Sequence, residues 1–195
     1  SLKKLALFIL LMVSGLCFAQ YSNHQLYEAY TTRDMSVWEN YIDSADWDRL
    51  DTEQRKQLLN YEYGFSAYML GVNVEKAKSL IQRLAIHLEQ VKSELPEERY
   101  CAYLASVYTY QLALDKSQLM KYAKGIYSNI ERAMELNPND PFVLSMQGNV
   151  EFYSPFGSKK IALAYFQKAD SLYEVAGADY ERWNRRAVQM TYIHC

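Results

Sequence analysis

The stretch Ile126-Tyr127-Ser128-Asn129-Ile130-Glu131-Arg132-Ala133-Met134-Glu135-Leu136-Asn137-Pro138 decides the fold. Ile126, Ile130 and Ala133 stand four and three residues apart, and Leu119, Tyr122, Ala123 and Met134 continue the same face. Apolar residues at this spacing line one side of an α-helix, here with Lys, Glu and Asn on the other side. Pro138 lacks an N–H and cannot extend such a helix, so the chain must turn there.

Working outward, Asn137-Pro138-Asn139-Asp140-Pro141 both stops one helix and starts another. Asp140 suits the N-cap and Pro141 the first helical position. Upstream, Asp115–Ser117 offers capping side chains, Pro96 follows a helix end at Leu95, and Gly71–Asn73 separates two helices. Downstream, Ser154–Ser158 is a longer break, and Gly177 and Asp179 open the last segment. Between these breaks lie two further stripes, Ala77–Leu80–Ile81–Leu84–Leu88–Val91 and Ile161–Ala162–Tyr165–Phe166–Ala169–Leu172. Alternation with a period of two persists nowhere, and the 195 residues hold only 7 Gly and 4 Pro. The reading is all-α, with nine helices near 22–32, 34–46, 51–71, 74–94, 96–115, 117–136, 141–153, 158–175 and 179–194.

These residues carry a resemblance. The positions Ile126, Ile130, Ala133 and Pro138 are similar to the second helix of a tetratricopeptide repeat (TPR), and Ala162, Phe166 and Ala169 repeat the spacing. An earlier unit shows Ala77, Ile81 and Leu84. Gly64, Ala105 and Gly148 stand where that family places small residues for close helix approach. Their separations of 41 and 43 residues exceed the regular period of about 34. The unit around Gly148 departs further, with Gln147 and Glu151 where the family prefers apolar side chains. The loop from Phe152 to Lys160 is also similar to one in exported TPR-like proteins of Bacteroidetes, a comparison that brings no function with it. The resemblance implies a right-handed solenoid of antiparallel helix hairpins, about four plus a terminal helix, because one hairpin cannot bury both its faces alone.

The N-terminus reads as a leader. Lys3 and Lys4 precede the apolar run Leu5–Val13, and small residues lead up to Ala19 and Gln20. This is the pattern of a signal peptide over residues 1–19, cleaved between Ala19 and Gln20, with a helical repeat domain over 20–195. Cys17 offers lipid attachment as another route, but Leu16 stands where that chemistry needs a small residue, which favours cleavage. The expected location is periplasmic or secreted. Without Lys3 and Lys4 the chain has 19 basic against 23 acidic residues and no basic run, which argues against nucleic acid as a partner. Cys101 and Cys195 are too few for a disulfide framework.

No catalytic pattern stands out. Gly157-Ser158-Lys159-Lys160 has no glycine five residues earlier and no preceding strand, and reads as a hairpin loop with a helix start at Ser158. His24, His87 and His194 lack neighbours at ligand spacing, and His87 reads as a surface residue near Glu89. Acidic pairs such as Glu97–Glu98 sit at helix starts, where the macrodipole favours them. Neither an enzyme, nor a cofactor, nor a metal site is expected.

Binding is the remaining activity. The resemblance implies a concave face lined by first helices, with Tyr61, Phe65 and Tyr68, then Ser106, Thr109 and Tyr110, then Ser145, Asn149 and Tyr153. Such a face suits a peptide or protein partner, making the chain an exported adaptor or assembly subunit. The alternative is an envelope protein holding a small molecule or glycan in a tyrosine-rich groove, since all 18 tyrosines follow the leader. A third surface is the last helix, whose Val188, Met190, Tyr192 and Ile193 would dock a partner if its own neighbour leaves them uncovered.

Overall fold

The computed structural model describes residues 21–195, so the expected leader, with Cys17, Ala19 and Gln20, lies outside the described residues. Among the described residues there are nine α-helices and no strands. The chain forms two compact units, the first ending at Arg49 and the second spanning Leu50–Cys195.

In the first unit, α1 (Asn23–Thr32) and α2 (Ser36–Ser44) are followed by a 3-10 turn at Trp47–Arg49. Ser22 and Gln25 form a reciprocal capping box at the start of α1. Arg33 closes that helix in the left-handed region, at φ 63°. The Trp38 indole stacks on Tyr30 and donates to the Leu26 carbonyl at 2.7 Å, which ties the hairpin together.

The second unit holds α3 (Thr52–Leu70), α4 (Val74–Gln90), α5 (Glu97–Leu114), α6 (Leu119–Leu136), α7 (Pro141–Tyr153), α8 (Lys159–Ala176) and α9 (Arg182–Tyr192). Helices pair in chain order, α3 with α4, α5 with α6 and α7 with α8, and the first helices α3, α5 and α7 are successive neighbours. Capping follows the sequence: Asp51, Asn73, Asp140 and Ser158 each accept from backbone N–H groups of the helix they precede. Two expected boundaries move by more than two residues. Helix α4 stops at Gln90 rather than 94, because the Glu94 and Leu95 amides turn back onto the Val91 carbonyl. The last helix starts at Arg182, its first residues forming a 3-10 turn over Asp179–Glu181.

Two glycines mark close approaches between helices. A Cβ on Gly148 of α7 would stand 2.5 Å from the Phe166 ring of α8, so that ring lies directly on the α7 backbone. Phe166 is buried with Leu144, Ala162, Ala169, Tyr173 and Val188 in one core cluster. Gly64 of α3 is covered differently, by the Trp183 ring from α9. Helix α9 packs on α8, and the 3-10 turn before it reaches α3.

Candidate functional site

Two surfaces need comparing: the face made by the first helices, and the cleft between the second helices.

The face of α3, α5 and α7 carries an aromatic cluster built on Tyr63. Its ring stacks on Tyr110 and meets Tyr103 and Phe142 edge-on, with Trp183 tilted beside it. The Trp183 N–H donates to Asn60 Oδ1 at 2.7 Å, and Asn60 in turn donates to the Tyr103 hydroxyl at 2.9 Å. Arg99 of α5 donates to Asp140 at the head of α7 and to Glu181 in the turn before α9, all three partly or fully buried. The C-terminal segment is therefore fastened to this face by an indole and a carboxylate. Burial drives the phenols of Tyr103, Tyr110 and Tyr173 well above the ordinary tyrosine range. The cavity left here, lined by Tyr63, Ser145, Met146, Asn149, Trp183 and α9 residues, holds about 50 Å³, room for water rather than an organic ligand.

The nine residues expected on a binding face are accordingly divided. Tyr61, Phe65, Ser106, Tyr110 and Ser145 are buried, and Asn149 lines the small cavity. Tyr110 donates to the Tyr63 carbonyl at 3.2 Å, and Ser145 to the Phe142 carbonyl at 2.8 Å, so both hydroxyls serve the interior. Tyr68, Thr109 and Tyr153 are exposed. On α9, Val188 is buried while Met190 and Ile193 face outward.

The second surface is a cleft of about 540 Å³ between α6 and α8, with α7 behind it. Tyr127, Ile130, Glu131, Met134 and Glu135 of α6, Gln147 of α7 and Tyr165 of α8 line it. On α6 the residues recur every three or four places, so one helix face supplies a whole wall. The Tyr127 hydroxyl is 2.8 Å from Ser154 Oγ, which fixes that ring against the end of α7. Glu151 accepts from the Ser158 amide at 3.0 Å and from Gln147 at 3.4 Å, holding the loop and the cleft amide together. Gly157 permits this turn, since a Cβ there would stand 2.1 Å from the Glu151 carbonyl oxygen.

Gln147 and Glu151 are the two positions at which the sequence leaves the repeat pattern. The departure has a structural cause: one side chain lines the cleft and the other braces its loop. That signal was present in the sequence, whereas the placement of Tyr127 and Tyr165 on one cleft was not.

The histidine reading needs a correction. His87 is not a surface residue near Glu89; its Nδ1 lies 2.8 Å from Oε2 of the buried Glu62, and Glu89 instead accepts from Tyr100. The helical period explains it, because His87 lies three residues from Leu84 on the inward side of α4. Among the described residues, no group of three or more His, Cys, Asp or Glu converges as a metal site, and no helix is long and apolar enough to cross a membrane.

No protein-family model matches the chain, and no curated protein matches its sequence. Among solved structures, the HusA haemophore from Porphyromonas gingivalis matches with a TM-score of 0.60 at 18% identity, covering 85% of this chain and 83% of that one. At this identity the likeness shows a shared helical fold.

Proposed function

We propose that this chain is an exported, non-catalytic small-molecule carrier that holds a planar tetrapyrrole of the haem class in the cleft between α6 and α8. The observation that carries the reading is the cleft itself, a broad groove open to solvent whose space of about 540 Å³ would seat one face of a flat ligand rather than enclose it. Its lining combines two tyrosines, a methionine and an isoleucine with a single amide. Flat aromatic and thioether surfaces suit a macrocycle, and a tyrosine phenolate is an established protein ligand for haem iron. The fold shared with a haemophore supports the same class of ligand. Glu131 and Glu135 make one end of the cleft acidic. The anionic edge of a tetrapyrrole therefore belongs at the other end, where Lys124 stands one turn before Tyr127.

A protein adaptor working through the first helices is the weaker reading, because Trp183 and Glu181 of the chain itself are fastened to that face. In this proposal the helix hairpins stack as a TPR-like solenoid, and the second helices rather than the first carry the ligand. Export rests on the leader pattern of residues 1–19.

The test is a Soret-band titration of residues 20–195 with ferric haem, and in parallel a fluorescence titration with iron-free protoporphyrin. Saturable 1:1 binding of both is expected. Gln147→Trp should weaken both by about tenfold or more by filling the cleft, while Tyr127→Phe with Tyr165→Phe should weaken the ferric ligand selectively. Binding left unchanged by all three substitutions would remove the cleft from the account.

A further inference from the structure

Helix α6 is longer than α7, the helix that follows it and lies beside it. Tyr127 meets Ser154, just past the end of α7, so residues 119–126 run beyond that end, by roughly 10 Å at the α-helical rise. The end of α5 accompanies them, its Tyr108 ring seated on Gly125 and beside Tyr122. This tip and the α7–α8 loop lie at the same end of the second unit.

Apolar side chains are exposed there in number. Phe156 is 94% exposed, Met120 83% and Tyr153 71%, with Leu119 and Ile161 about half exposed. Lone exposed apolar residues need no explanation, but five at one end of the unit, Phe156 among them on a loop braced by Glu151, are more than scattered singles. The charge around them is also one-sided. Lys116, Lys121, Lys124, Lys159 and Lys160 stand in these two segments against two acids, Asp115 and the loop-bracing Glu151, in a chain whose net charge is −2. Asp115 is exposed and caps the turn that follows it, accepting from Ser117 and Gln118. Lys159 is held over the Phe152 ring, and Lys121 over Tyr122, so both cations flank aromatic surface.

We propose that this end of the molecule is a docking surface for an anionic lipid bilayer. Phe156, Met120 and Tyr153 enter the headgroup boundary, and the lysines meet the lipid phosphates around them. Exposed apolar side chains with lysines in the same two segments match the layering of such a bilayer, apolar below and anionic at the surface. A protein partner would match the apolar residues without requiring the excess of lysines beside them. The cleft opens beside this end through Tyr127, so a carrier docked here would hold its ligand close to the lipid surface.

The experiment is co-sedimentation of residues 20–195, which include the whole described fold, with vesicles of phosphatidylcholine alone or in equal parts with phosphatidylglycerol. Retention on the anionic vesicles only, declining with added salt, is expected. The pair Met120→Ser and Phe156→Ser should weaken it by about tenfold. Lys121→Gln, Lys124→Gln and Lys160→Gln together should weaken it by about a hundredfold. All changed side chains are exposed, and matching helical circular dichroism confirms that each variant is folded. No retention of the unaltered chain on anionic vesicles overturns the proposal, as does retention that neither set of substitutions reduces. An envelope protein that binds this end while the vesicles do not would overturn it too.

Discussion

Gly148 and Gly64 show how single residues set this architecture. A methyl group at Gly148 would meet the Phe166 ring at 2.5 Å, inside a cluster that has no slack. Gly148→Ala should cost about 1–3 kcal/mol, the usual penalty of overpacking, read as a lower denaturant midpoint at unchanged slope. Arg99 makes a stronger case. Arg99→Leu leaves Asp140 and Glu181 largely buried without their cation and should cost about 3–5 kcal/mol in chemical denaturation. The close contact at Gly148 was legible, because a small residue opposite a large one is written into the spacing of one hairpin. The cover over Gly64 was not. Trp183 lies 119 residues further along the chain, and nothing in the local pattern of α9 says which earlier glycine its ring will meet.

The helices themselves were the most legible level, and the reason is chemical. Asp140 followed by Pro141 presents a side-chain acceptor and a fixed φ at a helix start, and α7 begins there. Where the expectation slipped, at the end of α4 and the start of α9, tighter turns replaced α-helical bonds without changing the residue pattern. Helix α9 was open to two readings, a cap or a docking face, and its packing buries Trp183 and Val188 while Met190, with Ile193 just past its end, stays exposed. Because Trp183 fills the space over Gly64 and donates to Asn60 Oδ1, Trp183→Ala should cost about 3–5 kcal/mol. Hydrogen exchange should then show α9 losing protection before α7 and α8 do. Equal loss of protection along the whole second unit would instead mean that α9 is no separate fastening.

For the whole molecule, the buried phenols make stability depend on alkaline pH. Tyr103, Tyr110 and Tyr173 are raised well above the ordinary value chiefly by burial, and Tyr180 is pushed up to about 12 by burial and then by Glu181. Raised native values mean that the unfolded chain gives up these protons first. Their contribution is intact below about pH 10 and is lost as pH climbs from there towards the native values, at about 1.4 kcal/mol per pH unit for each phenol. Thermal melts at increasing alkaline pH should therefore show a steep fall that begins near the free-phenol range. The binding face was the least legible feature at this scale. The repeat pattern directed attention to the first helices, where Tyr61 and Tyr110 proved to be interior while Tyr68 and Tyr153 are exposed, and the cleft is assembled from three helices whose relative placement no single segment encodes. The account stands or falls on where the ligand sits. The most direct measurement is amide chemical-shift mapping of residues 20–195 by NMR, with iron-free protoporphyrin added stepwise. The account predicts shifts concentrated at Tyr127, Glu131, Met134, Gln147 and Tyr165. Shifts concentrated instead at Asn149, Asn184 and Thr191, or none at saturating ligand, would contradict it.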